Sequence, residues 1–381
     1  MVQGEGRGHM TQALALAPAL RDAGHEVVRV LVGRSPWRTV PGYFLDGIGA
    51  PVVTFDAPAQ VPGPDGRAAS ARRTLLDVVA RAPDFVRALD TIRRATADAD
   101  VVVNFLDVLT GLGRARGTGP DEAPAIPTVA IAHNYVFLHP ELEGAPGPHH
   151  VRRAVLAYAR ATAAGADLRV ALSFDHLADV PARRLIVAPP LLRPGLGALD
   201  VRDGGYLLAY ALNAGYGREL GEWQRRNPEV EVHCYLDGGA AALGDGTPVR
   251  APDRDSGSGG PTEARAGFHV HDLDDAAFLA HLAGCRAYVG SAGFESLCEA
   301  HWLGKPILAV PTEGQFEQTL NAWDAERCGV ARAGSYADLD DAWARARPPD
   351  PESVRRFRAW VARAPALVVD AVERCAHIPR P

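Results

Sequence analysis

Three stretches of this chain concentrate residue types that can do chemistry. The first is Gly4-Glu-Gly-Arg-Gly-His9, between a short apolar start and a helical pattern. Glycines permit a tight strand-to-helix turn, and the free N–H groups of a helix N-terminus attract anions. His9 would sit where the helix dipole disfavours imidazolium and keeps the ring neutral, as a general base requires. Asp107 follows the apolar run 101–105 and falls at the carboxyl edge of the same sheet, where open α/β sheets bind ligands. It can there hold the histidine's tautomer and stabilise the imidazolium. His9 reads equally well as a polar residue of a helix start, and Asp107 reads first as a helix cap. A dinucleotide site would need G-x-G-x-x-G and an acid at the end of the second strand. Here the third glycine comes one place early and that strand ends in Val32-Gly33-Arg34, which argues against a nicotinamide or flavin enzyme.

In the second stretch, Gly290-Ser-Ala-Gly293 follows an apolar strand and opens a helix. Its N–H groups, the Ser291 hydroxyl and the dipole suit a diphosphate. Glu295 and Glu299 stand at i, i+4, so Glu299 can project one turn below the phosphates and accept from both hydroxyls of a ribose. Gly304-Lys-Pro306 ends the helix, and Gln315, Glu317 and Gln318 fall in the loop and first turn after the next strand. The third stretch is the polar cluster His133, Asn134, Tyr135 and His139 at the end of a strand, which reads as an acceptor contact or as loop packing. Asp272-Leu-Asp-Asp275 and Asp338-Leu-Asp-Asp341 have D-x-D spacing, but both precede helical runs, where acids are favoured as caps. Catalysis is therefore expected to need no magnesium and no other cofactor. No G-x-S-x-G elbow, H-E-x-x-H or Walker loop is present.

These residues need elements to position them, and 381 residues are enough for two domains. A hydrophobic fraction of 47% with 23% charged residues is that of an ordinary globular protein. The formal charge of -6 gives no reason to expect nucleic-acid binding. Five widely spaced cysteines without a C-x-x-C pair support neither a disulfide framework nor a structural zinc site. No apolar run is long enough to span a membrane and no signal peptide is visible, so the expected location is the cytoplasm, with at most a peripheral membrane contact.

The first half alternates β-branched runs (26–32, 52–55, 101–105, 128–133, 168–172) with helical patterns at 10–23, 71–96 and 151–163. Only three residues precede the first glycine turn, which predicts either a stunted first strand or a start that lies upstream. The Pro-rich segment 188–195 reads as an interdomain linker and hinge. The pattern restarts with strands at 206–212, 230–236, 268–270, 287–289 and 306–310, separated by helical runs. A Gly, Ala, Pro, Asp and Ser-rich tract, 238–267, reads as a surface insertion. The expected fold is α/β: two doubly wound, Rossmann-like domains, 1–187 and 196–350, facing across a cleft, with a last helix in 351–381 crossing back to the first.

Glu299-Ala-His-Trp-Leu-Gly-Lys-Pro306 and Glu317-Gln-Thr-Leu-Asn-Ala322 resemble, in type and spacing, the nucleotide-sugar signature of the GT-B glycosyltransferases, E-A-x-x-x-G-x-P and D/E/Q-Q-x-x-N-A. The likeness is to the peptidoglycan N-acetylglucosaminyltransferase and the UDP-glycosyltransferases. It implies that Ser291, Ala292 and Gly293 hold the diphosphate, Glu299 the ribose, and Gln315, Glu317 and Gln318 the hexose. Asn213 and Gly215 match the family's first phosphate loop of the donor domain, and His271 and Leu273 the place that receives the base. The amino half matches its acceptor-side loop, which assigns Gly6, Arg7 and Gly8 to the acceptor side with His133 and Asn134 nearby, and makes His9 the base of an inverting reaction with Asp107 as its partner. Gly290-Ser291 replaces the histidine with which the UDP-glycosyltransferases usually begin this turn, which leaves a UDP- or TDP-linked donor open. The implied activity is hexosyl transfer to a hydroxyl of a small-molecule, lipid or glycan acceptor. Two alternatives share the donor pocket: a nucleotide-sugar 2-epimerase and a non-catalytic nucleotide-sugar-binding subunit.

Overall fold

The computed structural model describes residues 1–35, 40–61, 70–115, 126–211, 213–236, 239–243 and 267–378. Two compact units emerge: Met1–Val61, Ser70–Pro194 and Phe357–Pro381 in the first, Gly195–Arg356 in the second. Most of the tract 238–267 lies outside the described residues.

The first unit holds strands β1 (Val2–Gln3), β2 (Val30–Arg34), β3 (Val52–Asp56), β4 (Val102–Asn104), β5 (Thr128–Ala132), β6 (Leu168–Leu172) and β7 (Leu185–Ala188). They pair in parallel as β3-β2-β1 and β4-β5-β6-β7. A bridge between Val2 and Phe105 joins the two sets, with Gln3 N–H on the Phe105 carbonyl at 3.1 Å and Phe105 N–H on that of Met1 at 2.9 Å. The order 3-2-1-4-5-6-7 reverses direction between β1 and β4, and at such a switch point the flanking loops part to leave a crevice. Strand β1 is two residues long, and the Met1 nitrogen bonds the Val103 carbonyl at 2.8 Å.

The second unit holds β8 (Leu207–Ala211), β9 (Val232–Leu236), β10 (Phe268–His271), β11 (Ala287–Gly290), β12 (Ile307–Ala309) and β13 (Arg332–Ala333). The order is β10-β9-β8-β11-β12-β13, all parallel, with its switch point between β8 and β11. Buried Val, Leu and Ala of these strands pack with Tyr216, Leu220, Trp223 and Leu339 from flanking elements.

Where the structure departs from the sequence expectations, local chemistry explains it. The helix expected at 71–96 is two, Ala71–Ala80 and Ala82–Ala95, because Pro83 cannot donate in a continuing helix and is placed in the first turn of the second. The last helix likewise divides into Pro351–Val361 and Ala364–Ala376, with Pro365 in the first turn of the second. Strand β7 was not expected: it has four residues, directly abuts Pro189, and its last residue, Ala188, falls in the segment read as the linker.

Candidate functional site

In the first unit, Gly4 closes β1 so tightly that a Cβ there would collide with the carbonyl oxygen of Gly33, so this glycine serves the turn. Helix Arg7–Asp22 begins one turn earlier than its apolar pattern suggests, with Gly6 as N-cap and Arg7, Gly8 and His9 in its first turn. The half-buried His9 ring lies over Gly6, where a Cβ would stand 3.3 Å from its Cδ2. Its Nδ1 faces the Gln12 side-chain oxygen at 3.4 Å. An amide oxygen only accepts, so Nδ1 carries the hydrogen and Nε2 keeps its lone pair. Burial lowers the His9 pKa to about 4, against a smaller upward pull from Gln12, so the ring is neutral at pH 7.

Asp107 reaches the same sheet edge by an unusual backbone. Leu106 before it is left-handed, φ 56, which costs a leucine about 1–2 kcal/mol. Buried Asn104 holds the turn: its side chain accepts from Asp107 N–H at 2.9 Å and donates to the carbonyls of Asp107 at 3.0 Å and Thr162 at 2.9 Å. The fully buried Asp107 carboxylate accepts from the N–H and hydroxyl of Thr110, both at 2.7 Å, capping helix Val108–Ala115. Burial raises its pKa despite those bonds. The structure thus brings His9 and Asp107 to one switch point but bonds each to another residue, Gln12 and Thr110. Gln12 and Asn104 were missed: the i, i+3 place of Gln12 relative to His9 on one helix was a signal not used, and an asparagine ending a strand carries none.

His133 and Asn134 open the 3₁₀ turn after β5 and are both buried. His133 donates from Nδ1 to the Leu172 carbonyl at 2.8 Å and meets Phe137 and Phe174 edge-on, which is packing. The Asn134 amide nitrogen is different: it is buried with no hydrogen-bond partner among the described residues. Such a group costs about 1–3 kcal/mol unless something accepts from it.

In the second unit, β11 ends at Gly290, where a Cβ would collide with the Tyr288 hydroxyl. Ser291 and Ala292 are buried, and Gly293 starts helix Phe294–Trp302 with no side-chain cap. A Cβ on Gly293 would meet only the Ser296 hydroxyl at 3.7 Å and the Ser291 carbonyl at 3.9 Å, so its face of the turn has room. The N–H groups of an uncapped helix start next to such room are anion donors. Asn321 ties the turn to helix Phe316–Arg327 by donating to the Ala292 carbonyl at 3.0 Å. Thus the asparagine of the second signature braces the turn opened by the first. Gly304, at φ 73, ends helix Phe294–Trp302 in the left-handed conformation only glycine adopts without strain.

Glu299 is completely buried, while Glu295 one turn before it is half-buried. Gln318, expected to face a hexose, is turned inward: its oxygen accepts from Thr312 N–H at 2.8 Å and its nitrogen donates to the Gln315 side chain at 2.6 Å. Both glutamines close the loop after β12, which also rests on the Tyr216 hydroxyl through Glu313 N–H at 2.8 Å. Glu317 stays half-buried in the first turn of its helix. Asn213 is the N-cap of helix Ala214–Arg226 with Gly215 in its first turn, at the carboxyl end of β8. His271 ends β10 with Leu273, half-buried, two residues on, but the His271 ring stacks on Tyr235 and bonds His233. The D-x-D acids act as caps and braces: Asp274 accepts from Ala277 N–H at 2.7 Å, Asp338 forms a capping box with Ser335, and Asp340 accepts from Trp223 Nε1 at 2.7 Å.

Residues 261–345 match the family model described as glycosyl transferase family 1. No curated protein matches the chain. Among solved structures, the glycotransferase of kitacinnamycin is 19% identical with a TM-score of 0.56, over 98% of this chain and 97% of that one. CalG4, the calicheamicin glycosyltransferase, is 19% identical with a TM-score of 0.56, over 100% and 98%. SsfS6 of Streptomyces sp. SF2575, complexed with thymidine diphosphate, is 14% identical with a TM-score of 0.55, over 98% of each chain. The fold is that of the GT-B glycosyltransferases, and the segment 261–345 that the family model matches carries the second unit's glycine turn. Among the described residues no helix is long and apolar enough to cross a membrane.

Proposed function

We propose that the protein transfers a hexose from a nucleotide-sugar donor to a hydroxyl of an acceptor, with inversion and without a metal, His9 being the general base. The observation that carries this reading is the uncapped start of helix Phe294–Trp302, with free room at Gly293 and a brace from Asn321. The leaving diphosphate would take its charge to those N–H groups and the helix dipole. The acceptor hydroxyl gives its proton to His9 Nε2, its oxygen forms the new bond at the anomeric carbon, and the bond to the diphosphate breaks with its electron pair on the diphosphate. Gln12, rather than Asp107, keeps the His9 tautomer, and the Asn134 amide nitrogen is the group we assign to the acceptor.

The donor is UDP- or TDP-linked; SsfS6 was complexed with thymidine diphosphate, which keeps TDP beside UDP. Glu299 is assigned to the ribose, its burial leaving it poorly hydrated and a strong acceptor once reached. Leu75, Leu76, Val79 and Val86, exposed on helices Ala71–Ala80 and Ala82–Ala95, are where an apolar acceptor or a peripheral membrane contact is to be sought. The test is a thermal-shift and product screen of UDP- and TDP-sugars with wild type, Glu299→Ala and His9→Ala. Glu299→Ala is expected to lose nucleotide binding, and His9→Ala to keep it and lose transfer. Nucleotide binding untouched in Glu299→Ala removes the donor assignment, and sugar turnover without acceptor replaces transfer by epimerisation.

A further inference from the structure

We infer that β9, β10 and helix Asp275–Gly284 build a site for one divalent transition-metal cation of the zinc kind, with His233, His271 and His281 as its ligands. Successive odd positions of a strand share a face, which puts His233 and Tyr235 of β9 together and His269 and His271 of β10 together. The parallel register sets His269 beside His233 and His271 beside Tyr235. The His233 ring stacks on His271 with centroids 5.1 Å apart, and helix Asp275–Gly284 lays His281 on the same face, 4.3 Å from His233 and 5.0 Å from His271. One ligand nitrogen from each of the three lies within 4.8 Å of the others. Tetrahedral zinc with bonds of about 2.0–2.1 Å sets its ligands about 3.3 Å apart, a spacing that small ring rotations reach from here.

The surroundings are those of a ligand set. Glu231 accepts from His233 Nε2 at 3.0 Å, so His233 Nδ1 accepts from His271 Nε2–H, 2.8 Å away; a cation would take the place of that shared hydrogen, with His271 carrying its proton on Nδ1 instead. The bond to Glu231 is the carboxylate-histidine pairing that orients metal-bound imidazoles. The Tyr235 hydroxyl fixes His281 through its Nδ1 at 2.7 Å. Three imidazoles and no carboxylate in the triad select a transition metal over magnesium or calcium. Glu231, His233 and His269 also come within ligand distance, and we assign Glu231 to orientation because it already holds His233. The cation would cross-link two strands and a helix; it has no part in the transfer proposed above.

The test titrates the untagged full chain, stripped with EDTA, with zinc by calorimetry, and with cobalt(II) by absorption as a report on nitrogen coordination. One equivalent is expected to bind, and excess zinc to raise Tm by roughly 5 °C or more. His271→Ala and His281→Ala, checked for folding by circular dichroism, should lose that equivalent. Glu231→Gln should weaken it about 10- to 100-fold, and His149→Gln with His150→Gln should leave it unchanged. Folded wild type that binds no stoichiometric zinc overturns the proposal. So does binding that survives both ligand variants, or binding that disappears with His149 and His150.

Discussion

The two glycine turns at the switch points of the two sheets have the same parts and opposite contents. Each follows a parallel strand, turns on glycine and opens a helix. In the first unit the space over Gly6 is filled by the His9 ring, held by Gln12. In the second, no side chain caps the helix and the room beside Gly293 is left open. A filled turn offers one titratable nitrogen, and an open one offers several N–H groups and a dipole. Under the proposed function one topology would serve proton transfer at one edge and anion binding at the other, depending on a single side chain.

The contrast is most sharply broken by His9→Ala. It should lower kcat roughly 10²- to 10⁴-fold with nucleotide affinity unchanged, measured by steady-state kinetics and calorimetry. Loss of nucleotide affinity instead would mean that the first turn also binds the donor. The pH profile comes next. A base at the ordinary 6.5 would lose roughly 30-fold in kcat/KM by pH 5, whereas His9 at about 4 should lose little there. The same depressed pKa has a stability consequence. The unfolded chain takes up the proton first, so this contribution is present above about pH 6.5 and is lost as pH falls toward 4. His9→Gln should flatten that part of the curve in denaturant titrations, unless the ring is not buried in solution.

Gly293→Val tests the open turn. Its φ of -77 is ordinary for valine and the nearest atoms stand 3.7 Å or more from a Cβ, so Tm should hold. Nucleotide affinity should fall roughly tenfold as N–H contacts are lost. Equal affinity for valine and glycine would place the diphosphate elsewhere. Smallest is Asp107→Ala, expected to cost about 1 kcal/mol through the lost cap on Thr110, with a smaller kcat effect than Gln12→Ala. The reverse ranking of kcat would restore Asp107 as the partner of His9.

Much of the geometry of the segment 290–322 was legible in the residues. Gly304, Asn321 and the glycines at 290 and 293 do work their types advertise: a left-handed helix end, a brace, a close approach and an open turn. The pairing of Gln315 and Gln318 was less so. Gln318 and Gln315 satisfy each other because the loop after β12 has backbone groups to pair, a demand that spacing does not reveal. In the first unit the left-handed Leu106 and its Asn104 clamp have no sequence signal, since a leucine at positive φ is held by tertiary bonds.

By itself, the order of residues determined the alternation of strands and helices, the two doubly wound units and the positions of both glycine turns. Those depend on local period, helix ends and glycine, which act over a few residues. Tertiary structure decided the partners. Three histidines from separate segments on one face depend on which strands lie side by side, and so does Asn104 on the Thr162 carbonyl, whereas Gln12 on His9 and Gln315 on Gln318 are local pairs three residues apart. Strand order is settled by packing across the whole sheet, which no short window of sequence contains.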